Sequence, residues 1–374
     1  MQTHACLALL GGLSPAQFMR RHWQKRPLLV RQALPGVTPP LARAELFALA
    51  ASSDVESRLV VREGDAWSVR SGPLARRSLP ALTRENWTLL VQGLDLHVDT
   101  AQQLLTHFRF LPQARLDDLM MSWASHGGGV GPHLDSYDVF LLQVQGQRRW
   151  RVSAASDPRF IPDLPLKILS HFKPQQEWLL EPGDMLYLPP GWAHDGTAIG
   201  ECMTCSIGFR APAAAALAGE ILARLSDEAG ADEASTIYRD PAQAATARPG
   251  AIPPRLQAWA QRAVQHVMRQ PQALQRALGE VLTEPKPRVW FASPETVDHA
   301  DGVRLAKGSR MMYDEHHVFL NGEAFLARGR DAGRMRTLAD TRHLGAAQCQ
   351  ALSAPAHELL LAWLAQGWLE PETG

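Results

Sequence analysis

The spacing of apolar residues changes character twice along the chain, near residue 115 and again after Pro212. Before the first change the pattern is mixed. Residues 14–25 (SPAQFMRRHWQK) place apolar side chains at helical spacing, with Ser14 as a cap and Pro15 at the first helical position. Pro27 ends that helix and LLVRQAL predicts a strand. VESRLVVREGDAWSVRSGPL predicts a hairpin around Glu63-Gly64-Asp65. ENWTLLVQGLDL and TAQQLLTHFRFL carry apolar residues three and four apart and predict two helices.

From about residue 115 the grain is that of short strands. ARLDDLMMSWAS is broken by the glycine run Gly127 to Gly129. PHLDSYDVFLLQVQ follows, then a turn at Gly146 and QRRWRVS. WLLEPGDMLYLPP holds a turn at Pro182-Gly183-Asp184, and CMTCSIGFRAP closes the set. Many short strands parted by Gly and Pro turns predict a double-sheet jelly roll of the cupin type.

After Pro212 the chain turns alanine-rich and helical in AAAALAGEILARLSDEA. A linker, DPAQAATARPGAIPP, leads to PRLQAWAQRAVQHVMRQ and PQALQRALGEVL, two helices each opened by proline. TEPKPR is a second linker. RMMYDEHHVFLNGEAFLA predicts a hairpin turning at Asn321-Gly322, and HELLLAWLAQGWLEP a last helix and short strand. The expected fold class is α+β, divided into residues 1–212, 213–284 and 285–374.

Composition narrows the function classes. Lys plus Arg and Asp plus Glu number 38 each in 374 residues. A neutral balance argues against direct nucleic-acid binding as the main business. Four cysteines are too few for a disulfide framework in a chain this long. Cys202 and Cys205 form a lone C-x-x-C in a strand-like run, where positions three apart point to opposite faces, so they are expected to be ordinary strand residues. ACLALLGGL lacks the charged start of a signal peptide, and no run reaches the ~20 apolar residues of a membrane span. The expected location is the cytoplasm.

Candidate chemistry concentrates in GGGVGPHLDSYDVF and EPGDMLYLPPGWAHDG. His133 and Asp135 stand two apart, so in a strand they project the same way, with Tyr137 beside them. His194 arrives from a distant strand. Two imidazoles and one carboxylate are the facial triad that holds non-haem Fe(II) and leaves three positions open. On residues 117–124, Asp118, Met120, Ser122 and Ala124 share a face. Glycines 127, 128, 129 and 131 would let the main chain approach the metal mouth. Trp150 and Trp192 are expected in the core.

The blocks HWQKRPLLVR (22–31), DDLM (117–120), GGGVGPHLDSYDVF (127–140), RRWRV (148–152), EPGDMLYLPPGWAH (181–194) and SIGFRAP (206–212) resemble the JmjC-type 2-oxoglutarate oxygenases, and within them the bacterial ribosomal oxygenases. That resemblance implies a JmjC barrel, a helical dimerisation region and a winged-helix-like C-terminal domain. It implies Fe(II), 2-oxoglutarate and O2 as reagents, a homodimer, and hydroxylation of an arginine β-carbon in a large-subunit ribosomal protein, number sixteen. The family's co-substrate cation stands fifteen positions after the first iron histidine, which here is Arg148. A guanidinium offers a carboxylate a bidentate fork. Ser122 would add a hydroxyl to the co-substrate pocket. Ala124 and Thr204 depart from the family's expected hydroxyl and amide. A substrate guanidinium would meet Asp118, Met120 and Tyr137 through charge pairing and stacking. Two rival readings differ in class. One is a JmjC oxygenase acting on another protein or on RNA. The other is a non-enzymatic cupin metal sensor with a DNA-binding C-terminal domain.

Overall fold

The computed structural model describes residues 3–154, 158–231, 237–245, 248–269, 272–294 and 302–372. Pro271 and part of the linker at 240–254 lie outside them. The chain divides into two compact units, Met1–Ala211 and Pro212–Gly374.

The first unit opens with α1 (Pro15–Arg21), where Ser14 and Gln17 form a reciprocal capping box. It continues through β1 (Leu28–Val30), α2 (Arg43–Leu49), β2 (Ser57–Glu63), β3 (Ala66–Ser71), β4 (Trp87–Val91) and α3 (Asp99–Leu105). The barrel strands follow: β5 (Leu116–Ala124), β6 (Asp138–Ala154), β7 (Gln176–Leu180), β8 (Met185–Leu188) and β9 (Trp192–Phe209). All nine strands belong to one sheet, ordered β1-β8-β6-β9-β5-β4-β2-β3, with β7 on β6.

Two long strands make the barrel. The first half of β6 pairs with β8 and the second half of β9, while its second half pairs with β7 and the first half of β9. Between the halves, register shifts at Gln143/Gln145 and Gln145/Gln147 mark bulges. Gly146 sits there with φ of 64°, where a Cβ would lie 2.1 Å from the Glu201 carbonyl oxygen. The expected turn at Gly146 is therefore a bend within one continuous strand. A bulge inserts a residue and bends the strand without ending its pairing.

The helix expected over residues 85–96 is a second correction, because its centre is β4. Trp87, Thr88, Leu89, Leu90 and Val91 are all buried, since β4 runs between β2 and β5 with both faces covered. A strand buried on both faces loses its alternation and mimics helical spacing. Asn86 (φ 62°) and Gly93 (φ 61°) bracket it. One face of the sheet packs on α1, α2 and α3 in a core that includes Phe18, Phe47, Trp87, Trp123, Phe140 and Tyr187. The other face encloses the cavity described below. Cys202 and Cys205 go to separate buried clusters.

The second unit holds α4 (Ala214–Ala231), α5 (Pro254–Arg269) and α6 (Ala273–Thr283). Then come β10 (Gly302–Leu305), β11 (Met311–Tyr313), β12 (His317–Leu320), β13 (Glu323–Leu326), α7 (Gly329–Thr341), β14 (His343–Gly345), α8 (Ala346–Gln350), α9 (Ala354–Ala365) and β15 (Leu369–Pro371). Asn321 (φ 51°) and Gly322 (φ 88°) form the expected two-residue turn between β12 and β13. Leu338, Leu344, Leu360 and Trp363 centre this unit's core.

Candidate metal centre and co-substrate cavity

His133, Asp135 and His194 converge. Their ligating atoms all lie within 4.8 Å of one another, the only such cluster found among the described residues. Asp135 Oδ2 is 3.5 Å from His194 Nε2 and 4.0 Å from His133 Nε2. His133 and Asp135 precede β6, which begins at Asp138, so strand periodicity does not position them as expected. The main chain does so instead. His133 and His194 exchange both backbone hydrogen bonds, each 3.0 Å, and Gly191 N–H donates to the Asp135 carbonyl at 3.0 Å.

Each ring is also oriented. His133 Nδ1 lies 2.9 Å from the Gly131 carbonyl, and His194 Nδ1 lies 2.9 Å from the Trp192 carbonyl. A carbonyl only accepts, so both Nδ1 atoms donate and both Nε2 atoms keep a free lone pair toward Asp135. Burial first, and His133 second, lower the His194 pKa to about 4, so its ring is neutral and ready to ligate at pH 7. This donor set fits Fe(II), with room for further ligands.

The expected glycine effect is local. A Cβ on Gly128 would lie 2.4 Å from the Trp87 carbonyl oxygen, and one on Gly129 would lie 2.4 Å from that of Gly196. These glycines admit the loop to the main chain of β4 and β9, and Gly131 then presents the carbonyl that turns His133.

A cavity of about 530 Å³ opens beside the three ligands. Its wall includes Arg148, Ser122, Asp118, Met120 and Tyr137, the residues expected to bind co-substrate and substrate, but not Ala124 or Thr204. Arg148, on β6, is 6 % exposed, and its Nε and Nη2 have no hydrogen-bond partner. Those two adjacent atoms form the edge of a guanidinium that can grip a carboxylate in two places. An orphaned buried charge of this kind is costly unless a counter-ion arrives. Ser122 Oγ makes only a long 3.4 Å bond to the Thr204 carbonyl, and Thr204 itself donates to Gln143 Oε1 at 2.9 Å.

At the mouth, Asp118 accepts from Gly93 N–H at 3.0 Å, and Tyr137 is 37 % exposed. Partial burial and then the carboxylates of Asp135, Asp118 and Asp117 raise the Tyr137 pKa, so its phenol stays protonated. Sequence reasoning left out several wall residues. Trp150, expected in the core, is buried but lines the cavity, with its ring 5.8 Å from that of His194 and the Arg148 guanidinium over it. Arg58, Thr88, Leu90 and Gln92 come from β2, β4 and the residue after β4, and Lys167 from the loop before β7. Reading 87–91 as a strand would have exposed Thr88 and Leu90 as a face of their own.

Comparison with known proteins agrees with this geometry. The family description "JmjC domain" matches residues 103–217, and "ROXA-like winged helix" matches residues 264–370. The ribosomal protein uL16 3-hydroxylase of Escherichia coli is 35 % identical over 319 residues, covering 82 % of this chain and 84 % of the relative. The X-ray structure of E. coli YcfD matches with a TM-score of 0.82 at 31 % identity, covering 96 % of this chain and 98 % of that one. A structure of YcfD, described as a ribosomal oxygenase in complex with cobalt and 2-oxoglutarate, matches with a TM-score of 0.79 at 30 % identity and the same coverage.

Proposed function

We propose that this chain, which belongs to the JmjC-type ribosomal oxygenases, is an Fe(II)- and 2-oxoglutarate-dependent hydroxylase of ribosomal protein uL16. We infer the β-carbon of an arginine as the position hydroxylated. The observation that carries this reading is one cavity holding both a His-Asp-His cluster and a buried guanidinium edge without a partner.

His133, Asp135 and His194 would hold Fe(II), and Arg148 would bind the distal carboxylate of 2-oxoglutarate, with Ser122 adding a hydroxyl. When bound, the metal with 2-oxoglutarate and O2 supplies an oxidation that converts a C–H bond to C–OH and yields succinate and CO2. The chain's own part is placement. The carbonyls of Gly131 and Trp192 keep the two Nε2 lone pairs aimed at one point. At the mouth, Asp118 pairs with a substrate guanidinium while Tyr137 and Met120 flank it.

We further infer a cytoplasmic homodimer. In support, no helix among the described residues is long and apolar enough to cross a membrane. Leu222 on α4 and Val264 and Met268 on α5 present exposed apolar side chains, which would be covered by a second copy. Residues 213–284 would form that dimerisation region, between the JmjC part at 1–212 and the C-terminal domain at 285–374.

The test is incubation with Fe(II), 2-oxoglutarate and uL16, read by succinate release and peptide mass. The wild type adds one oxygen to an arginine, His133→Ala abolishes turnover, and Arg148→Ala raises the 2-oxoglutarate requirement by tenfold or more. Equal turnover in all three, or loss of methyl groups instead of gain of oxygen, overturns the reading.

A further inference from the structure

Besides Arg148, the same cavity wall carries other buried groups without a partner, Arg58 Nε, Trp150 Nε1 and Thr88 Oγ1, and of these Thr88 is the one hydroxyl. It is 0 % exposed, it lines the wall, and its Oγ1 has no hydrogen-bond partner. A buried hydroxyl without a partner is costly, so its position asks for a ligand.

Register links it to Arg148 through short side chains. Thr88 on β4 pairs with Ala124 on β5, Ala124 pairs with Cys202 on β9, and Ala198, also on β9, pairs with Arg148 on β6. Ala124, Cys202 and Ala198 form one buried cluster. Three short side chains thus separate a hydroxyl on one strand from a guanidinium on another. The Gly128 main chain fixes the same neighbourhood. Its carbonyl accepts from Ala198 N–H at 2.9 Å, and a Cβ on Gly128 would lie 3.1 Å from Thr88 Oγ1.

A carboxylate has about four lone-pair sites, and the Nε and Nη2 edge of Arg148 uses two. We propose that Thr88 donates a hydrogen bond to the distal carboxylate of 2-oxoglutarate, completing the site whose neighbouring position 124 carries no hydroxyl. This inference rests on the function proposed above.

The test is calorimetric titration of 2-oxoglutarate into the full-length Co(II)-loaded protein, with thermal melting of the ligand-free protein alongside. Thr88→Val keeps the shape and removes the donor. It should bind 2-oxoglutarate about tenfold more weakly, the scale of one hydrogen bond to a charged group. Its ligand-free melting temperature should be no lower than that of the wild type, because an orphaned polar atom has gone. Thr88→Ser should stay within about twofold of wild type. Unchanged affinity in Thr88→Val, or Thr88→Ser as weak as Thr88→Val, overturns the assignment of Thr88 alone. A wild type that takes up no 2-oxoglutarate overturns the functional reading beneath it.

Discussion

His194 sits against Trp150 and His133, and its burial adds to the acid sensitivity of the metal-free fold. Its pKa falls from 6.5 to about 4 on folding. Between those values the unfolded chain binds a proton here that the folded chain does not. Stability from this residue is therefore present above pH 6.5, is lost as pH falls toward 4, and changes no further below that. Urea midpoints of metal-free wild type and His194→Gln at pH 7 and pH 5 check this, and the wild type should lose more across the interval. An equal loss in both would place the acid sensitivity elsewhere. The same residue shows what was legible at this scale. H-x-D alone is common by chance, but a glycine-rich approach, H-x-D, an EPGD turn and PPG-x-x-H in one chain announce ligands together. Thr88 announces nothing, because one threonine in an apolar run reads like any other until its strand neighbours are known.

Two buried carboxylates, Asp138 and Asp184, tie elements together in the first unit. Asp138 opens β6 three residues after Asp135 and is fully buried. It accepts from Tyr187 Oη at 2.6 Å, from Arg115 Nη2 at 3.1 Å and from Gln24 Nε2 at 3.1 Å. That ties β6 to β8, to the approach to β5 and to the segment after α1. Asp138→Ala would strand three donors at once and should cost about 3 kcal/mol in urea unfolding, the scale for breaking a buried pair. A loss below about 1 kcal/mol would mean that water replaces the carboxylate. Asp184, predicted only as part of a turn, does the same for β1 and β8 by accepting from Gln32 N–H, Glu181 N–H and Arg31. The jelly roll was readable from turn chemistry. The identity of β4 and the continuity of β6 were not, because both depend on neighbours supplied by distant sequence.

Across the first unit, the barrel and the residues before it form one core. Leu9, Leu10, Phe18, Trp23 and Phe47 pack in the same cluster as Phe140, Tyr187 and Ile207, and the Phe18 ring lies 4.9 Å from that of Tyr187. The stretch that resembles a JmjC domain begins at residue 103, yet β1, β2, β3 and β4 all precede it. Produced alone, residues 103–217 would have one sheet face stripped of apolar partners and an open edge at β5, where β4 had been. Such a fragment should precipitate, whereas residues 1–211, which form a compact unit, should stay in solution and bind Co(II). Light scattering of the two preparations decides it, and a soluble, folded 103–217 would refute the point.

The single sheet running from β1 to β3 has a bearing on inheritance. A graft that moved only β5 to β9 with the loop that carries His133 and Asp135 would leave Thr88 and the wall it belongs to behind. The smallest portable piece begins upstream of any histidine that ligates, so shuffling events that preserve chemistry should cut near residue 212 and spare the residues that carry β1 to β4.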